Sequence, residues 1–265
     1  APLAAEHMMP PPRSTAGTTA LCFSCGVDSF FSLLREPRQA DLLVCALGYD
    51  VELGDRQRSE LVATSVRQVA AELGRKSTVI ASNLRQHRLL RKVSWELTHG
   101  GALAALGHLL SNDVERLMIS SSRLIGNDAP FGSRWDVDPL FSSALVTIDH
   151  VGATFQRTDK LRSIAHEPIV QRHLRVCWEN RGAESNCGRC EKCVRTMLIL
   201  ESCGQLGNYP TFRGGEGLVE CLNQLPHVIH ARQLVYESLL ALGLSEPYRM
   251  AVARLVERSR VVNGR

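Results

Sequence analysis

Ala20-Leu21-Cys22-Phe23, an apolar run of strand type, leads directly into Ser24-Cys25-Gly26-Val27-Asp28-Ser29. The residues that follow, 29–35, carry Phe30, Leu33 and Leu34 at helical spacing and stop before Pro37. A strand, a polar turn with glycine and a helix make the first half of a β-α-β unit, and the chain then repeats the alternation. Residues 41–48 are apolar nearly throughout, as in a strand buried on both faces. Residues 56–73 set Val62, Val66, Val69, Ala70 and Leu73 on one helical face, with Gly74 to close it. A third strand is read over 76–81. Helical sequence follows from about 85 to 111, broken or re-aimed at His99-Gly100-Gly101, and a fourth strand over 115–121 ends in Ser120, Ser121 and Ser122. A fifth strand is expected over 145–151. The alternation predicts an α/β fold with a parallel sheet covered by helices on both faces.

Past the sheet the pattern gives a short helix over 158–165 and a strand-like run over 174–178. A cysteine cluster and helices from Glu191 follow, including two at about 226–242 and 246–261. Residues 1–18 are rich in Pro, Ala and Thr, have no apolar period, and are expected to be a disordered tail. Pro10, Pro11 and Pro12 stand where a secretory signal would have its apolar run. Three regions result: the tail at 1–18, an α/β domain at 19–170, and a cysteine knuckle with a helical C-terminal region at 171–265.

Composition narrows the function. The 265 residues, 44% hydrophobic and 22% charged, suit one large domain or a domain with an appendage. No stretch approaches the roughly 18 apolar residues of a membrane span, so a cytoplasmic protein without a membrane partner is expected. A net charge of +4 admits an anionic ligand but lacks the strongly basic footprint of a dedicated nucleic-acid binder. Nine cysteines in such a compartment are not expected to form disulfides.

The segment 24–29 lies in the strand-to-helix crevice where open parallel sheets bind ligands. A helix N-terminus offers unpaired N–H groups to an anion, Gly26 allows close approach, and Ser24 and Ser29 add hydroxyls. Asp28 suits tying the loop to its own amides better than touching phosphate. One reading is a phosphate cradle; the other is an ordinary helix start capped by Asp28 or Ser29. The loop is neither a Walker loop nor a dinucleotide fingerprint. Cys177, Cys187, Cys190 and Cys193 supply the four thiolates of a closed tetrahedral zinc site, structural because no position is left for water. Gly188 permits the tight backbone between them, and Arg189, Lys192 and Arg195 can offset the charge. An iron–sulfur cluster, a redox pair at Cys190 and Cys193, or free core thiols are the alternatives.

Together the two motifs, in this order, resemble the ATP pyrophosphatase (PP-loop, adenine nucleotide alpha hydrolase-like) superfamily, nearest its 7-cyano-7-deazaguanine synthase-like branch. The family loop Ser-Gly-Gly-x-Asp-Ser corresponds to residues 24–29, and its zinc knuckle is similar to the four cysteines. The resemblance covers about 20–200. It implies a doubly wound five-stranded Rossmann-like sheet of the HUP type, with ATP and magnesium at the loop (Ser24, Cys25, Gly26, Val27, Asp28, Ser29). The implied enzyme is a ligase: a substrate oxygen attacks the α-phosphorus, pyrophosphate leaves, and a nitrogen nucleophile (an amine or ammonia) then displaces AMP. Ser24, Asp28 and Ser29 carry over as catalytic residues. Lys160 looks like the family's lysine at the start of a helix after the fifth strand, neutralising phosphate; a solvated helix lysine is the other reading. His99-Gly100-Gly101 stands in place of the family's Pro-Gly-Arg-Asn. Cys25 replaces the first loop glycine, which a negative φ would accommodate.

Two rivals accompany this reading. A PP-loop sulfurtransferase acting on tRNA or a small molecule would want a cysteine near the loop, but Cys22 is expected to face the strand and Cys25 to lie inside the cradle. Cys45 and Cys203 read as core thiols. A non-catalytic module gripping RNA or protein through the knuckle would use the arginines at 172–181 with Arg189, Lys192 and Arg195. Asp128, Asp136, Asp138 and Asp149 are further magnesium candidates, while Trp95, Trp135 and Trp178 read as core. A small-molecule substrate is the expected partner; nucleic acid and a homodimer are admitted without being favoured.

Overall fold

The computed structural model describes residues 17–127, 129–182, 184–215 and 217–264; most of the expected tail, 1–16, lies outside them. The first strand, β1 (Thr18–Cys22), begins within the last residues assigned to that tail. It is followed by α1 (Val27–Arg35), β2 (Leu42–Leu47), α2 (Arg56–Glu72), β3 (Lys76–Ala81), α3 (Trp95–Leu109), β4 (Val114–Ser120) and β5 (Thr147–Val151). The five strands form one all-parallel sheet in the order β3-β2-β1-β4-β5. The direction of winding reverses between β1 and β4, which opens a crevice at the carboxyl ends of those strands.

Strand alternation sorts the core into two faces. Leu21, Leu43, Cys45 and Met118 point to one side, where Phe30 and Leu33 of α1 and Val62, Val66 and Val69 of α2 cover them. Ala20, Leu42, Val44, Leu117 and Ile119 point to the other, under Ala102, Ala104 and Leu106 of α3. Helices therefore lie on both faces, as the alternation required. Asp55 starts α2 by accepting from Arg58 N at 3.0 Å, and Gly74, at φ 63, ends it. The first core continues through α4 (Arg157–Ile164), α5 (Pro168–His173), α6 (Glu191–Ser202), α7 (Leu218–Gln224), α8 (His230–Leu240) and α9 (Glu246–Asn263). No helix among the described residues is long and apolar enough to cross a membrane.

Three sequence expectations are corrected. Helix α3 is not broken at His99-Gly100-Gly101. It runs straight through, and its breaks fall earlier, at two single 3₁₀ turns over Leu84–Gln86 and Leu90–Lys92. Gly100 is there for close approach: a Cβ would sit 1.8 Å from Gly132 O. Residues 174–178 do not form a strand, because a side chain takes the place of a neighbouring strand. Asn186 accepts from Val176 N (2.8 Å) and Cys177 N (3.1 Å) and donates to Leu174 O (2.8 Å), while Arg175 N donates to Cys25 O (2.9 Å). The helix expected over 226–242 is shorter, because Val228 N is drawn to Ser259 Oγ of α9 at 3.0 Å. The short helices α5 and α7 escaped the sequence reading.

Candidate functional site

β1 delivers the chain to the crevice, and Phe23 N, just past the strand, still donates to Val44 O at 2.8 Å. Gly26 then caps α1 with extended backbone (φ −80, ψ 165), and no side chain caps the helix. Neither Asp28 nor Ser29 therefore acts as the N-cap. Ser29 closes the loop instead, donating to Gly26 O at 3.1 Å and accepting from Ser24 N at 3.4 Å. Asp28 does not tie down the loop amides. Its carboxylate is bound by Arg157 and lies 3.6 Å from Lys160 Nζ. The first turn of α1, beginning at Val27, thus keeps the partial positive charge of an uncapped helix N-terminus.

Cys25 departs from both expectations made for it. Its φ is +58, the left-handed region that glycine occupies without cost. Its side chain is 1% exposed and belongs to the first core instead of the cradle, beside Val62 and Arg175. The loop keeps the backbone of a glycine while its extra atoms fill space behind it. Cys22, expected to face the strand, lines the crevice. Burial pushes the Cys22 and Cys25 thiols well above the ordinary range, and that of Cys45 to about 12.

The crevice is a cleft of about 510 Å³, lined among others by Ser24, Gly26, Asp28, Ser29, Ser120 and Ser122. Three cations stand on its walls: Arg157 from α4, Arg175 from the segment before the knuckle, and Lys192 from α6. Burial, with Arg157 and Arg195 close by, brings the Lys192 ammonium down to about 8. Lys160 is placed elsewhere. It is 1% exposed beneath the loop, donates to Ser121 O at 2.6 Å, and is not among the residues lining the cleft; burial lowers its pKa. The same cleft is lined by a chain of rings, Tyr49–Trp95 (5.1 Å), Trp95–His99 (6.2 Å) and His99–Phe131 (4.6 Å). Arg85 lies 4.8 Å from the Trp95 ring centre and Arg123 4.0 Å from that of Phe131. Trp178 (56% exposed) lines the cleft, and Trp135 (41%) is likewise not core.

Cys177, Cys187, Cys190 and Cys193 come together with all four sulfurs within 4.8 Å of one another. Cys177–Cys190 is 4.0 Å and Cys187–Cys193 is 3.9 Å, against about 3.8 Å for the edge of a tetrahedron with 2.3 Å metal–sulfur bonds. Gly188 takes φ 68 between the ligands, and Cys190 N donates to Cys187 Sγ at 3.3 Å. Hydrogen bonds from Cys190 and Cys193 pull the Cys177 thiol far below its ordinary range. This donor set fits a metal ion such as zinc.

The aspartates do not gather in the same way. Asp128 lies outside the described residues. Asp136 is held by Arg134 (2.5 Å), Asp138 by Ser133 and His150 (2.7 Å each), and Asp149 by Arg116 (2.5 Å). Among the described residues the four cysteines are the one cluster suited to a metal.

Sequence reasoning missed Arg157, Arg175, Tyr49 and Phe131 as cleft residues and considered Lys192 only as knuckle charge. The local signal available was slight: Arg175 stands two residues before the first metal-site cysteine, and Arg157 three before Lys160. No family model matches this sequence, and no curated protein matches it.

Proposed function

We infer that the protein is an ATP-dependent adenylating ligase of the PP-loop type, with residues 19–170 forming the nucleotide-binding HUP-type domain. The observation that carries the reading is an uncapped helix N-terminus, Gly26 to Ser29, lining one cleft with Arg157, Arg175 and Lys192 at the reversal point of a parallel sheet. Such a site suits a polyanion. In the first step a carboxylate or carbonyl oxygen of the acceptor forms a bond to the α-phosphorus. The α–β bridging bond breaks, and pyrophosphate leaves with its electron pair. An amine then attacks the activated carbon and loses its proton to solvent as the carbon–oxygen bond breaks and AMP departs. The protein's part is positioning and charge neutralisation: Ser24 and the loop amides hold phosphate, and Arg157 is fixed by Asp28. Lys160 supports Asp28 from below, a positioning role in place of the direct phosphate contact expected of it. Magnesium would arrive on the nucleotide's phosphates, since the described aspartates offer no preformed site. Zinc in the knuckle would be structural.

A nitrogen nucleophile is favoured over sulfur because Cys22 and Cys45, the cleft thiols outside the metal cluster, are held protonated. The RNA-gripping module is disfavoured because several of the arginines it would use are already paired, Arg195 with Glu191 at 3.0 Å, Arg181 with Glu179 at 2.7 Å and Arg172 with Glu72. Incubation with ATP, magnesium, ammonia and a panel of carboxylates should release AMP and pyrophosphate only with the correct acceptor, and Ser24→Ala should suppress that release. Release of ADP and phosphate instead would refute attack at the α-phosphorus.

A further inference from the structure

Helix α3 carries apolar residues or glycine on every side, a pattern that belongs to a helix with partners all round. Its inner side has them: Ala102, Ala104 and Leu106 pack on the sheet, and Leu103 lines the cleft. Its outer stripe does not. Leu97, Ala105 and Leu109 are exposed there, Leu97 at 53% and Leu109 at 69%. At Gly101, between them, the Phe141 ring takes the place of a side chain, 3.4 Å from where a Cβ would be. Leu140, 80% exposed, extends the strip beside Phe141, whose carbonyl accepts from His108 Nε2 at 2.8 Å. The polar side chains of the first turns look elsewhere, Glu96 and His99 to the cleft and Thr98 to Ser94 O at 3.1 Å. Helix α2, on the other face of the sheet, turns Glu60, Arg67 and Glu72 to solvent in the usual way.

The charges at the two ends of the strip identify what covers it. No acidic residue stands between Glu72 and Glu96, a stretch with six basic ones. Three of these, Arg88, Arg91 and Lys92, are exposed just before α3 and have no ion-pair partner among the described residues. Just past the other end, Asp113 and Glu115 are exposed and likewise without an ion pair among the described residues. Each set sits at the wrong end of its own helix, the cations by the positive N-terminus and the carboxylates by the negative C-terminus. Within one molecule that arrangement is unfavourable. Against a second α3 running the opposite way it is favourable at both ends, and a two-fold axis lying across the helix brings the two copies together in that sense.

We propose that the outer strip of α3 is the interface of a homodimer, in which α3 of one protomer packs antiparallel on α3 of its partner. Leu97 of one protomer meets Leu109 of its partner, with Ala105 and Phe141 nearer the axis. The same pairing, continued outward, brings the segment 91–93 to the turn at 113, so Arg91 and Lys92 answer Asp113 at both ends of the interface. Trp95, His99 and Leu103 of this helix line the cleft, so the partner braces that wall from behind. The pairing is independent of which ligand the cleft takes.

The test is sedimentation equilibrium of the full, metal-loaded chain over a range of concentrations, and the wild type should have the mass of a dimer. Ala105→Arg sets two like charges near the axis at a solvent-facing position and should weaken association by roughly a hundredfold or more. Leu109→Lys should act in the same direction. Circular dichroism reports whether each variant is folded; if Ala105→Arg is not, Leu109→Lys decides. Arg91→Glu and Asp113→Arg should each weaken the dimer by roughly tenfold, and the double variant should return to within about threefold of the wild type. Asp113 is chosen because Glu115 also accepts from Gly17 N at 2.8 Å. A wild type that is monomeric at every concentration overturns the proposal, as does a dimer indifferent to both strip variants or a double charge variant no tighter than the single ones. A monomer that instead sediments with phosphatidylserine vesicles overturns it as well and assigns the strip to an anionic bilayer surface.

Discussion

Replacing Asn186 by alanine removes one amide that three backbone groups depend on. Val176 N and Cys177 N donate to its Oδ1 and Leu174 O accepts from its Nδ2, all within 3.1 Å, at a residue 1% exposed. Each buried group left without a partner costs about 1–2 kcal/mol, so the three together cost about 3–6 kcal/mol, with the lower end applying if water enters the vacated space. That is a large part of the 5–15 kcal/mol that holds a typical domain folded. Urea unfolding followed by tryptophan fluorescence should show the midpoint falling at unchanged slope. Metal content should fall too, because Cys177 loses the bond that fixes its backbone. Asn208→Ala, at an exposed amide bonded to Gln205 Oε1, is the control and should stay within about 0.5 kcal/mol. An Asn186→Ala loss below about 1 kcal/mol would refute the claim that this side chain stands in for a strand.

Three further outcomes follow from the same contacts. Gly100→Ala drives a Cβ into Gly132 O, backbone against backbone, and should cost about 3 kcal/mol in thermal melts, whereas Gly54→Ala, with nothing within 4 Å of its Cβ, should be near neutral. Cys25→Val puts a branched side chain at φ 58 in a filled core and should lose about 2 kcal/mol or more relative to Cys25→Gly; equal midpoints in urea would show that the left-handed conformation is wrong. Stripping the metal with a chelator, or making Cys190→Ser, should erase amide-exchange protection at Val176 and Cys177 while β1 and β2 keep theirs; loss in all of them at once would mean that the knuckle and the sheet unfold as one unit.

The sheet was readable from the sequence because its strands are local, nearly continuous apolar runs whose period needs no partner to be recognised. Residues 76–81 matched to the residue, and β2 differed by one at each end. The cysteine cluster was readable for a related reason, since three of its four ligands fall within seven residues. What failed were readings in which a local rule competed with a distant contact. Gly100 looked like a helix breaker and is a spacer for Gly132, while residues 174–178 had a strand's composition but found a side-chain amide in place of a neighbouring strand. The cations were hidden for the same reason: Arg157 meets Asp28 across 129 positions of chain, and Arg175 meets no carboxylate among the described residues, which only the folded chain reveals. An arginine answered by an acid and one left unanswered look identical in sequence. The difference between Arg58, paired with Asp55, and Arg175, whose Nε has no partner among the described residues, is a property of the space around each.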